Sequence, residues 1–211
     1  MPHDQDAVLK TGERISVRPI RLEDESLLVR FHEGLSDQTV YLRYFHMMKL
    51  AQRISAQRLR RACRPDPSCE RALVAVGRNP ADLTPELLGV ARLHTALGST
   101  AGEFSIVVAD RFQGLGVGGV LMHRLIRMAR ADGLSRLQAD VLSANANMKR
   151  LCQRLGIPLV PTGDPQGNCR KAQKQGENRE DGKDAPLHRG TCADAVDLGT
   201  LEGLQQQQLA R

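Results

Sequence analysis

The stretch RFQGLGVGG, Arg111 to Gly119, places four glycines in nine residues and runs directly into an apolar helical pattern. So much bare backbone at a helix start lets something come very close to the main chain. Unpaired N–H groups and the positive end of the macrodipole make phosphate the leading candidate. GLGVGG also matches the dinucleotide fingerprint G-x-G-x-x-G, and Asp140 lies about where that motif sets its ribose-binding acid. Context excludes that reading. ADRFQ separates the glycines from the strand before them, and only one helix follows Asp140 before the chain turns polar. A P-loop fails for want of Gly-Lys-Ser/Thr.

Outward from the loop, GEFSIVVAD (Gly102 to Asp110) reads as the preceding strand. The helix after it, Gly116 to Asp132, is expected to bury Val117, Val120, Leu121, Leu125 and Met128. LQADVL is a strand, and ANANMKRLCQRLG is a helix with Met148, Leu151, Cys152 and Leu155 on one stripe, stopped by Gly156. Towards the N-terminus, RISVRPI is a first strand and LEDESLLVRFHEGL a helix closed by Gly34. Ser36 caps a second helix whose Tyr41, Tyr44 and Phe45 form a core-facing stripe, and Ser55 to Arg64 is a short third helix. CERALVAVG and ELLGVARLHTAL are strands joined by the turn-rich NPADLTPE. From residue 158 to 211 the chain is polar and Gly/Pro-rich, and disorder is expected there. The domains read as a folded unit over 1–157 and this tail.

A formal charge of +6 over 211 residues suits acidic ligands such as nucleotides. Nucleic acid is disfavoured by the absence of Trp and by only two Tyr and four Phe as stacking platforms. The basic run RLRRACR (Arg58 to Arg64) reads as the solvated face of a helix. Five dispersed cysteines show no CxxC pair and no metal-ligand spacing, so no metal is expected, and reduced thiols point to a cytoplasmic protein. No apolar run is long enough to span a bilayer, so no membrane partner is expected.

Gln113-Gly114-Leu115-Gly116-Val117-Gly118 fits the Q/R-x-x-G-x-G/A signature of the GNAT acyltransferases. A strand with an acid near its start, the long helix, another strand and an Asn-led helix ending in Leu-Gly surround it in the family's order. ISVRPIRLEDESLL, GLSDQTVYLRYF and GEFSIVVADRFQGLGVG resemble the acetyltransferase domain of bacterial Pat-type protein lysine acetyltransferases, and the likeness runs from Leu9 to Ile157. It implies an α/β GNAT fold: a mixed central sheet with flanking helices. The closing strand hairpin is missing or degenerate, since the polar tail after PLVPTGDPQ offers no apolar strand. The open sheet edge is then exposed, covered by the tail, or completed by another chain in a homo-oligomer.

The resemblance implies acetyl-CoA as co-substrate and a protein lysine as acceptor. Its pyrophosphate would lie on the amides of Gly114 to Gly119, with Gln113, Leu115, Gly116, Val117 and Gly118 forming the loop. Ile106, Val107 and Val108 would pair with the pantetheine amides and supply an oxyanion donor. Asn145 has two open roles, cofactor contact and helix N-cap. Glu103 is the candidate base for a lysine amine that is almost wholly protonated at neutral pH; otherwise it is a solvated carboxylate at a strand end. Where many relatives place a Tyr acid, seven residues after the Asn, this chain has Cys152, read as a buried small hydrophobe. Transfer to a small amine and acyl-CoA binding without turnover are the alternatives.

Overall fold

Two apolar periods, alternating and helical, sort the chain into one sheet and the helices that cover it. The computed structural model describes residues 5–160 and 192–197. Its strands are β1 (Gln5–Val8), β2 (Arg14–Pro19), β3 (Glu70–Arg78), β4 (Pro85–Thr95), β5 (Ala101–Val108), β6 (Arg136–Asp140), β7 (Leu159–Val160) and β8 (Cys192–Asp197). They form one sheet in the order β1-β2-β3-β4-β5-β6-β8-β7, antiparallel throughout except for β5 with β6. The helices are α1 (Glu25–Glu33), α2 (Asp37–Tyr44), α3 (Leu50–Arg53), α4 (Ala56–Cys63), α5 (Val117–Ala131) and α6 (Ala146–Arg154). This is the mixed sheet with flanking helices that the sequence implies. Among the described residues no helix is long and apolar enough to cross a membrane.

The central strands are covered on both faces, which is why β3 and β4 read as continuous apolar runs: Leu73 to Ala75 are buried, as are Leu87, Leu88, Val90, Ala91 and Leu93. On one face α5 buries Val117, Leu121, Met122, Leu125, Ile126 and Ala129. Val120 and Met128, expected in that stripe, are only partly buried, because the arc that meets the broad sheet lies round the helix from them. The other face is covered by α1 through Leu28 and Phe31. The aromatic stripe expected of α2 is also displaced. The helix buries Thr39 and Val40, Phe45 caps its end at φ 63°, and Tyr44 is half-buried beneath the guanidinium groups of Arg43 and Arg58.

Three elements escape the sequence reading. Strand β1 pairs with β2, and the single turn α3 precedes α4. The closing hairpin is degenerate but not missing: two-residue β7 pairs with β8, and β8 pairs with β6 through residues of the tail where no strand is expected. The disorder expected of 161–191 and 198–211 lies outside the described residues.

Two packing details set the frame of the sheet. At the end of β2, Arg18 grips Asp24 with both guanidinium arms (2.8 and 2.7 Å) and the Arg21 amide adds a third bond (2.8 Å). Burial works to raise the Asp24 carboxyl, but these bonds outweigh it and hold the group below its ordinary range. In β4, the register shifts between Ala75, which faces Gly89, and Val76, which faces Leu87. A Cβ at Gly89 would stand 3.0 Å from both Leu121 Cδ1 and Val107 O, so glycine there lets the first turns of α5 press onto the sheet.

Gly89→Ala is expected to lower the unfolding free energy by about 1–3 kcal/mol through overpacking, read as a reduced urea midpoint at unchanged slope. A second expectation concerns His32, buried on α1. Burial, then the cations Arg53, Arg58, Arg43 and Arg92, push its imidazole down from 6.5 to about 4. Between those values the unfolded chain binds a proton that the folded chain does not. Stability is therefore full above about pH 6.5 and drains as the pH falls towards about 4. The loss attributable to this group is on the order of 2–3 kcal/mol, and denaturant midpoints of wild type and His32→Phe across pH 7 to 4.5 should converge by that amount.

Candidate active site

Strand β5 runs on to Val108, but its parallel pairing with β6 covers only Ala101 to Glu103 against Arg136 to Gln138. Beyond Glu103 the two strands part. A cavity of about 610 Å³ opens there, bounded by Ile106 and Val108, the glycine loop, and Met148 and Leu151 of α6. Main-chain groups of β5 alternate between β4 and this gap. Ala109 donates to Leu88 O on β4 (2.9 Å), whereas Val108 O accepts from Gln113 Nε2 on the opposite side (3.1 Å). Alternation turns the polar groups of Ile106 and Val108 to the cavity and those of Val107 to β4. Val107 therefore contributes its side chain and not the backbone pairing expected of it.

The loop has the conformation its glycines permit. Gly114 and Gly116 lie at φ 80° and 106°, the left-handed region where a Cβ is strained. The first helical bond of α5 runs from Val120 N to Gly116 O (3.1 Å), so the amides of 117–119 have no acceptor within the helix. A Cβ at Gly118 would meet Leu151 Cδ2 at 3.4 Å, and one at Gly119 would stand in open space. Bare backbone and helix-end amides thus line the cavity at Gly114, Gly116, Gly118 and Gly119. Such a cradle fits an anion. Leu115 and Val117 do not line it: Val117 is fully buried, and Leu115 packs against the core while its carbonyl accepts from Lys10 N (3.2 Å).

Side-chain hydrogen bonds tie this loop to two helices. Ser36 Oγ and Thr39 Oγ1 donate to Asp110 Oδ1 (2.5 and 2.8 Å), and Ser36 N donates to Oδ2 (2.9 Å). Partial burial works to raise the Asp110 carboxyl, and these bonds overcome it, leaving it below its ordinary range. Thr39 Oγ1 in turn accepts from Gln113 Nε2 (3.0 Å), and Gln113 Oε1 accepts from Asn147 Nδ2 (2.9 Å). Arg150 donates to Asn147 Oδ1 at the end of the chain (2.6 Å). Asn145 is the N-cap of α6, accepting from Met148 N (3.0 Å), and it lines the cavity as well. Thr39, Arg43, Asn147, Arg150 and Arg154 also line it and were not anticipated. The last three share one helical face, a period visible in the sequence. Thr39 and Arg43 carry no local signal, because they arrive from about seventy residues upstream.

Glu103 is not brought to the glycine loop. It lines a second cavity of about 370 Å³ on the face covered by α1 and α4, and Arg43 and Val107 line both cavities. Register sets Glu70, His94 and Glu103 side by side across β3, β4 and β5. Ser105, on the same face, accepts from Arg43 Nη2 (2.8 Å). Cys152 is fully buried, as expected, burial pushes its thiol up to about 11, and it lines neither of these cavities. No group of three or more metal-ligating side chains occurs among the described residues.

Residues 38–157 match the acetyltransferase (GNAT) family. An acetyltransferase of Pseudomonas aeruginosa is 30% identical over 149 residues, covering 71% of this chain and 77% of the relative. The acetyltransferase Pat of Mycolicibacterium smegmatis is 39% identical over 62 residues, 29% of this chain and 19% of its own length. Among solved structures, the GNAT domain of S. lividans PAT superposes with a TM-score of 0.67 at 27% identity, covering 78% of this chain and 94% of that one. The glycine cradle at the parted strands agrees with these matches, and the chain belongs to the GNAT family as an acetyl-CoA-dependent N-acetyltransferase.

Proposed function

We propose that the acceptor is a lysine side chain of a protein and that Glu103 takes its proton. One observation carries this reading: two cavities lie on either side of β5, the glycine cradle in one and Glu103 in the other, and they meet at Arg43 and Val107. An acyl donor held along Ile106 and Val108 would have its thioester end towards that meeting point, with the amine arriving from the far side. The likeness to the GNAT domain of S. lividans PAT supports a protein acceptor, as does the resemblance of the loop and its flanks to Pat-type enzymes.

The chemistry asks little of side chains beyond a base. A lysine ammonium, with pKa about 10.4, must lose a proton before it attacks, and Glu103 accepts that proton directly or through water. The amine nitrogen then bonds to the thioester carbon, the C–S bond breaks, CoA leaves as a thiolate, and the second proton shed by the new amide nitrogen passes through water to that thiolate. A thiol of pKa about 8.5 departs without a dedicated acid, which accommodates the inert Cys152. Main-chain N–H groups of Ile106 and Val108 are the donors placed to meet the developing oxyanion, a contribution of about 3 kcal/mol in acyl transfer.

Glu103→Gln is expected to lower kcat on a lysine-bearing protein by about 10²- to 10³-fold while the Kd for acetyl-CoA, measured by calorimetry, changes less than about twofold. Gly118→Val, whose side chain would fill the cradle against Leu151, is expected to weaken acetyl-CoA binding by more than about tenfold. Undiminished turnover in Glu103→Gln would remove the carboxylate from the mechanism. Turnover of small polyamines but of no protein lysine would replace the acceptor.

A further inference from the structure

The second cavity has a charge that a lone lysine would not choose. Arg43, Arg53 and Arg92 reach it from within, and Arg58 and Arg61 stand at its rim on α4, against the two carboxylates of Glu70 and Glu103. Glu70 is already consumed, since Arg92 Nη1 holds its Oε1 at 2.6 Å. The inner arginines are anchored: Arg53 donates to His32 O (2.6 Å) and Met48 O (3.2 Å), Arg92 to Ala62 O (2.7 Å), and Arg43 to Ser105. Arg58 and Arg61 are exposed and, among the described residues, form no ion pair with a carboxylate; Arg58 lies over the Tyr44 ring (5.3 Å).

A buried imidazole shares the cavity with these arginines. His32 is 7% exposed, lines the cavity, and leaves its Nδ1 without a hydrogen-bond partner. Burial and four of these arginines keep its imidazole neutral at pH 7, so it offers an uncharged polar atom and adds no cation of its own. An ammonium entering this site meets net positive charge, and only a companion anion offsets it.

We infer that the acceptor lysine lies beside acidic residues, whose carboxylates are taken up by Arg58 and Arg61. This rests on the second cavity being the acceptor's entry, as proposed above. The two arginines are three residues apart, one turn along a helix face. Acidic side chains at alternate positions of an extended segment, about 7 Å apart, match that spacing. The same field favours the neutral amine once the lysine is seated, which eases proton loss to Glu103. The run RLRRACR, read from sequence as a solvated face, thereby becomes a selecting surface.

The test uses the full chain, acetyl-CoA and three lysine peptides of equal length, flanked by aspartates, by serines or by arginines. At low ionic strength kcat/KM should rank aspartate over serine by about fivefold to tenfold, with the arginine peptide lowest, and the spread should shrink as salt is raised. Arg58→Glu/Arg61→Glu should invert the order while acetyl-CoA affinity is unchanged, since neither residue lines the donor cavity. If the double variant does not fold, the ranking and its salt dependence in the unaltered protein decide alone. Equal rates, or a preference for the arginine peptide, would overturn the acidic acceptor and leave lysine acetylation standing. Transfer to none of the peptides, with acetyl-CoA still bound, would overturn the lysine reading and this inference with it.

Discussion

Every functional feature of this molecule depends on the parting of β5 from β6. Three residues of parallel pairing hold the strands together, and from Ser105 onwards β5 has β4 on one side and, among the described residues, no strand on the other. Main-chain polar groups left unpaired inside a protein are costly, so such an edge persists only where other parts of the fold keep it open and a partner completes it. Here α5 and α6 hold the gap: Gly118 rests against Leu151, and α5 is seated firmly because Gly89 concedes the space of a Cβ. The parallel crossover from β5 to β6 also delivers the α5 N-terminus to the mouth of the same gap. Strand edge and helix end are thus products of one topological choice, and together they form the cavity proposed for the acyl donor.

The two faces of β5 carry opposite chemistry. One offers bare backbone and helix-end amides to the donor. The other gathers arginines around two carboxylates, Glu70, held by Arg92, and Glu103. Val107 and Arg43 line both cavities, and Arg43 is bonded to Ser105. On the proposed reading, donor and acceptor approach each other across one strand, each in its own electrostatic surroundings. Direct transfer needs no covalent intermediate on the protein.

The glycine loop and its helix were legible in the sequence because they follow from strictly local rules: positive φ at Gly114 and Gly116, a helix start at Val117, and a cap at Asn145. The central strands were legible too, since burial on both faces leaves unbroken apolar runs. What escaped was set by distance along the chain. Thr39 and Arg43 reach the donor cavity only because α2 is folded over β5, and Glu103 faces the acceptor side through the pleat and not through any motif. Strand β8 was hidden for another reason. Its alanines and single valine carry too little hydrophobic contrast to announce a strand, and it becomes one by pairing with β6. The cation-bracketed Tyr44 shows the same limit from the opposite direction, as helical spacing alone cannot separate a core stripe from a cavity rim.

The hydrogen-bond chain from Ser36 and Thr39 through Asp110 and Gln113 to Asn147 and Arg150 carries one further consequence, which concerns how substitutions combine. Its members come from α2, the turn before the glycine loop, and α6, and side chains of one segment are satisfied in part by those of another. Replacing one strands the polar group of its neighbour, so the costs of single changes do not add, and a second change can repair the first. The helix that carries Arg43 and the glycine loop are thereby coupled, so a change in either is felt by the other.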